Sequence, residues 1–134
     1  MYWFSTLRQL EVVVYDPKLQ EILDSTGFAH KLVMKVYIRA IQDRLLDGED
    51  IVYAYPSNVG FYALTDRRIL FYAKKSGIVD MPLSSILGLE ERDGKIIIKS
   101  SVDKIYIHVG QKGYFRMDYK APRTLLKLIR KRMN

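Results

Sequence analysis

From about residue 51 to residue 109 the apolar residues alternate with polar ones at a period of two, and turn residues interrupt the alternation at short, regular intervals. This predicts seven strands: Ile51–Tyr55, Val59–Thr65, Arg68–Ala73, Ile78–Met81, Ile86–Glu91, Lys95–Ser100 and Lys104–Val109. Among the breaks, Asp93-Gly94 is the strongest hairpin signal, because a two-residue type I′ turn needs positive φ at both positions. The segment Phe61–Tyr72 is the most regular: two short apolar runs joined by Thr65-Asp66-Arg67-Arg68. Both of its faces are largely apolar, so this hairpin is covered on both sides or closed into a barrel.

Upstream the period changes to that of a helix. Asp16-Pro17 is a helix start, with an Asp N-cap and Pro in the first turn. Leu19, Ile22 and Leu23 form its apolar face, and Gly27 can end it. A longer helix is expected over Ala29–Leu46, with Met34, Tyr37, Ile38, Ile41 and Leu45 on one side and Gly48 at C′. Lys31, Lys35 and Arg39 recur every four residues on another side, as an anion-binding stripe or a solvated face. Residues 1–15 read equally as strand or short helix; Tyr2, Trp3 and Phe4 cap the core or dock a protein partner. At the other end, residues 113–119 read as a further strand or as the start of a helix. From Pro122 on, Leu125, Leu126, Leu128, Ile129 and Met133 form one stripe and Arg123, Lys127, Arg130 and Lys131 another. Leu125, Leu128 and Ile129 are expected to face the core.

Composition narrows the class. The 134 residues suit one domain, or one with an appendage, and 49% hydrophobic content suffices for a core. The absence of cysteine excludes disulfides and thiolate-ligated metals. No apolar run is long enough to span a bilayer, and the N-terminus lacks the basic-then-apolar pattern of a signal peptide. A cytoplasmic protein is expected.

The net charge of +7 is concentrated at one end. Between Lys112 and Asn134 lie eight bases and one acid, whereas the first 111 residues carry fourteen of each. Arg116, Lys120, Arg123, Lys127, Arg130 and Lys131 are therefore the candidate binding residues for an anionic partner. A solvated helix face kept basic for solubility is the competing reading.

Catalytic patterns are missing. His30 and His108 have no metal-ligand spacing, no Gly-x-Ser-x-Gly elbow or phosphate-cradling glycine loop occurs, and adjacent Glu90 and Glu91 point to opposite faces of a strand. No enzyme activity, cofactor or metal is expected.

The segment Leu64-Thr-Asp-Arg-Arg-Ile-Leu-Phe71 resembles the signature hairpin of bacterial pleckstrin-homology (PH) domains and is similar to the related GRAM domains. Leu46-Asp-Gly-Glu49, Met81-Pro-Leu-Ser-Ser-Ile86 and the terminal helix fall in the matching order. The resemblance implies an α+β fold: a PH-like barrel of about seven antiparallel strands over residues 47–134, plugged by the C-terminal amphipathic helix. Residues 1–46 then form an N-terminal helical appendage, which packs on the barrel or recruits a partner. It also implies a binding module without naming a ligand. Phosphoinositide-binding PH domains carry bases in the first two strands and their loop, whereas Ile51–Phe61 has none, so the usual headgroup site is not expected. The nearest bases form a secondary candidate cluster, Arg67, Arg68, Lys74 and Lys75, although Arg67 and Arg68 can instead pin their turn through Asp66.

The leading functional expectation is a non-enzymatic adaptor that binds a protein partner. The runners-up, an anionic membrane surface and nucleic acid, both act through the basic C-terminal segment. For nucleic acid, Tyr114, Phe115 and Tyr119 interleave with Arg116 and Lys120 as stacking platforms, or fill the barrel mouth.

Overall fold

The computed structural model describes residues 14–57, 59–108 and 120–133. Tyr2, Trp3, Phe4, Arg116, the aromatic residues Tyr114, Phe115 and Tyr119, and the ambiguous segments 1–13 and 113–119 lie outside the described residues. Helix α1 (Pro17–Ser25) starts as its sequence dictates: the Asp16 carboxylate accepts a hydrogen bond from the Lys18 N–H at 2.8 Å, and Pro17 occupies the first turn. A 3₁₀ turn (Phe28–His30) leads into α2 (Lys31–Gln42). Seven strands follow: β1 (Ile51–Pro56), β2 (Phe61–Thr65), β3 (Arg68–Ala73), β4 (Gly77–Pro82), β5 (Gly88–Arg92), β6 (Lys95–Lys99) and β7 (Lys104–His108). Helix α3 (Ala121–Met133) closes the described chain.

The strands form two antiparallel sheets, β1-β2-β3-β4 and β5-β6-β7. The expected barrel is thus corrected to a pair of sheets without hydrogen-bonded closure among the described residues. The reason lies at the β4–β5 junction. Pro82 has no N–H to donate, and the 3₁₀ turn Leu83–Ser85 carries the chain off the first sheet. When pairing resumes it is with β6, beginning with the Leu87 N–H donating to the Lys99 carbonyl at 2.8 Å. The β5–β6 hairpin turns through Asp93 and Gly94 at φ 52° and 72°, the positive pair a type I′ turn requires.

Two cores share the first sheet. Between the sheets, Tyr62, Leu64 and Ile69 meet Ile96, Ile98, Ile105 and Ile107, and α3 adds Ala121, Leu125, Leu126 and Ile129. On the sheet's other face, Phe61, Ala63 and Leu70 receive Leu19 and Leu23 of α1 and Met34, Tyr37, Ile38 and Ile41 of α2. Strand β2 is consequently buried along its whole length, which explains why both faces of the Phe61–Tyr72 hairpin are apolar. In α3 the buried set is centred on Leu125 and Ile129, with Leu126 inside and Leu128 only half-buried. Leu126 thus takes the place expected of Leu128, since it lies 60° from Ile129 on the core side at 100° per residue.

The second helix is shorter than Ala29–Leu46. It ends at Gln42, with the Asp43 N–H still bonded to the Arg39 carbonyl at 2.9 Å. The chain then unwinds, and Leu45 reaches the core from a turn rather than from the helix. Gly48, at φ 75°, belongs to the later turn that delivers Glu49.

Gly60 allows β2 and β3 to approach. A Cβ there would lie 2.0 Å from the Tyr72 carbonyl oxygen and 2.9 Å from its carbon, both backbone atoms. Gly60→Ala must move one strand, and overpacking of this kind costs about 1–3 kcal/mol or more. Thermal denaturation should show a lowered Tm; an unchanged Tm would mean that the strand pair yields freely at this point.

Candidate functional site

The β2–β3 turn is held by a buried carboxylate. The Glu49 side chain is fully buried, and Arg68 grips it with a fork: Nε donates to Oε2 at 2.9 Å and Nη2 to Oε1 at 2.8 Å. The Thr65 hydroxyl donates to Oε2 at 2.6 Å, and the Leu46 N–H donates to Oε1 at 2.9 Å. Arg68 also engages the Asp80 carboxylate and the Arg44 carbonyl. Burial alone raises the Glu49 pKa, but hydrogen bonds from Arg68, Thr65 and the Leu46 N–H outweigh it and hold it at about 2. The same pairing with Glu49 pushes the Arg68 pKa further up.

This geometry separates the secondary cluster Arg67, Arg68, Lys74 and Lys75. Arg68 is committed to internal carboxylates rather than to Asp66. Arg67 lies 3.9 Å from Asp66 with both side chains about half exposed. Lys74 and Lys75 are exposed at the opposite end of β3, about 20 Å away at 3.3 Å per residue. The four bases do not form one site. Leu46–Glu49 and Thr65–Arg68, two of the segments that carry the family resemblance, meet here in a structural clasp.

Helix α3 brings the primary candidates together. At 100° per residue Arg123, Lys127, Arg130 and Lys131 occupy one arc, and the buried residues Ala121, Pro122, Leu125, Leu126 and Ile129 occupy the opposite one. Lys120 is exposed just before the helix and continues the basic arc. Arg123 bonds Glu91 of β5 at 3.0 Å, while Lys127, Arg130 and Lys131 point outward. No apolar side chain stands within the arc. The ridge runs about 12 Å from Arg123 to Lys131 at 1.5 Å per residue.

A second exposed surface lies on α2 and its preceding turn. Phe28 is 97% exposed, Leu32 78%, Val36 54% and Val33 41%. Lys35 and Arg39 are exposed alongside them, and Lys31 is half-exposed. Sequence reasoning identified the bases of this face but passed over Phe28, Leu32 and Val36. Their four-residue spacing was the available signal, although such spacing describes a core stripe equally well. Between α1 and β1 lies a shallow cleft of about 260 Å³ lined by Lys18, Glu21, Ile22 and Tyr53. It falls below the roughly 300–1,000 Å³ of small-molecule sites. Among the described residues no group of three or more His, Cys, Asp or Glu could hold a metal, and no helix is long and apolar enough to cross a membrane.

No protein-family model matches the chain, and no curated protein matches it. Solved structures do. A DUF1696 family protein with a pleckstrin-homology domain from Shewanella loihica PV-4 superposes with a TM-score of 0.51, at 13% identity over 72% of this chain and 92% of that one. The fold is PH-like. The C-terminal domain of an unknown protein from Leishmania infantum aligns with a TM-score of 0.49, at 11% identity over 76% of this chain and 99% of that one. In this PH-like chain the two sheets and α3 form the core, and α1 and α2 cover the outer face of the first sheet.

Proposed function

We propose that this chain is a non-enzymatic PH-like binding module that docks an acidic protein partner on the outer ridge of α3. The observation that carries this reading is the arc of Arg123, Lys127, Arg130 and Lys131 directly opposite the helix's buried stripe. Packing fixes the helix rotation, so the bases are held outward and only their side-chain rotamers are ordered in the encounter. Arg123 is already paired with Glu91 at 3.0 Å, which leaves Lys127, Arg130 and Lys131 to meet the partner. A ridge without apolar side chains binds by charge and does not insert.

Lys127→Gln, Arg130→Gln and Lys131→Gln together should leave Tm nearly unchanged, because exposed charges contribute about 0–1 kcal/mol each. The triple variant should weaken binding of a labelled glutamate-rich helical peptide at least about tenfold, given that charged rim groups set encounter and salt dependence. Fluorescence anisotropy at two salt concentrations measures this. Equal binding by the variant, or stronger binding of the native chain to single-stranded DNA or to anionic vesicles through these bases, removes the reading.

A further inference from the structure

We infer that the N-terminal end of α2 with its preceding turn is a membrane-contact tip, in which Phe28 and Leu32 enter an anionic lipid surface while Lys31 and Lys35 meet the headgroups. The inference concerns a surface separate from the α3 ridge and does not depend on that ridge's partner. Helix α2 covers the outer face of the first sheet, whereas α3 packs into the core on its other face.

A phenylalanine exposed to 97% and a leucine to 78% stand one turn apart, with Val36 a turn further on. The buried side of α2 already contains Met34, Tyr37, Ile38 and Ile41, so this is a second apolar surface rather than the core stripe misplaced. Lys31, Lys35 and Arg39 form the neighbouring row of the same helix. Apolar side chains beside basic ones are the composition of interfacial helices.

Three features choose the occupant. The Phe28 side chain, almost fully exposed, stands free of any pocket of this chain, whereas protein interfaces concentrate their energy in packed, pocketed anchors. A fluid lipid surface closes around a projecting side chain without needing a complementary groove. A second copy would set Lys31 and Lys35 of one face against the same two lysines of the other, a like-charge contact, Arg39 being paired with Asp43. Asp43 lies at the far end, about 22 Å along the axis from Phe28 at 1.5 Å per residue, and pairs there with Arg39 at 3.0 Å; Asp24 is exposed nearer the tip, four residues before Phe28, and accepts from Gln20 at 2.8 Å. A separation of about 22 Å exceeds the roughly 8 Å screening length at physiological salt, so a tilted approach on Lys31 and Lys35 leaves the Arg39–Asp43 pair outside.

The chain contains no cysteine, so a single one can be introduced for labelling. The full chain with Leu32→Cys, or with Arg130→Cys as the control, is labelled with an environment-sensitive fluorophore. Vesicles of phosphatidylcholine with 30% phosphatidylglycerol are then added, and pure phosphatidylcholine vesicles in parallel. The Leu32 label should brighten and shift to the blue on the anionic vesicles, with the Arg130 label little changed. In unlabelled protein, Phe28→Asp should weaken vesicle flotation about tenfold or more, given the value of burying an aromatic side chain. Lys31→Gln with Lys35→Gln should also weaken it about tenfold or more. All these positions are at the surface, and unchanged Tm values confirm that the variants fold. Absence of vesicle binding overturns the inference. So does binding reported at Arg130 but not Leu32, which assigns lipid contact to α3. A Leu32 signal that responds to the glutamate-rich peptide but not to vesicles assigns this face to a protein and overturns it as well.

Discussion

Arg68→Ala should destabilise the domain by about 3–5 kcal/mol, the cost of removing one partner from a buried ion pair. The loss is dominated by what remains. Glu49, whose side chain is fully buried, would keep its Thr65 and Leu46 donors but lose both arms of the guanidinium fork. Against a total stability of about 5–15 kcal/mol this is a large fraction, equivalent to a fall in Tm of roughly 10–20 °C. Arg68→Lys should recover little, because an ammonium cannot reproduce the planar fork. Glu49→Gln combined with Arg68→Met should recover part of the loss, since the fully buried Glu49 then carries no charge, while the partly exposed Asp80 still loses its Arg68 partner. Chemical denaturation of the three variants decides the matter. If the single and double variants lose the same amount, the unpaired carboxylate is not the source of the cost.

The same pair sets an acid limit. Glu49 has its pKa lowered on folding, from about 4.5 to about 2, so the folded state favours the ionised form. Its contribution is fully present above about pH 4.5 and is lost as pH falls towards 2. Glu49→Gln should accordingly lower stability at neutral pH and flatten its decline within that window. A variant that declines as steeply as the native chain would place the acid sensitivity elsewhere.

Leu125→Ala should cost about 2–5 kcal/mol, the range for a large-to-small change in a closed core. Leu125 is 0% exposed and belongs to the core shared by α3 and both sheets. The half-buried Leu128 should cost distinctly less when truncated, because its outer side already meets water. The comparison tests the rotation of α3 and, with it, the outward placement of the basic ridge. If Leu128→Ala proves the more damaging, the helix is rotated from the position described and the ridge loses its geometric basis.

The strands were legible because a strand's side chains alternate between two faces, and each observed strand overlaps a run expected from that alternation. The Asp93-Gly94 hairpin and the Asp16 cap were legible for a different reason: each is a local conformation that few residue types accept. The barrel expectation failed at Pro82, where the pattern could locate a break but not reveal which edge the next strand would join. The lower end of α2 failed similarly, since Leu45 and Leu46 continue the apolar pattern after the backbone has stopped being helical.

The candidate basic residues divided in the same way. Arg123, Lys127, Arg130 and Lys131 share an arc because they lie on one helix, and helical periodicity is written in the sequence. Arg67, Arg68, Lys74 and Lys75 are close in sequence, but a strand carries them to opposite ends. The sequence by itself determined where strands and helices run, which stripe of α3 is apolar and where the charge collects, since these follow from residues a few positions apart. Only the tertiary structure decided that Arg68 is held by Glu49 nineteen residues away, that β2 is buried on both faces, and that Phe28 and Leu32 remain outside. Those outcomes depend on which surfaces meet across the folded chain, and an apolar side chain carries no mark of whether a partner surface will reach it.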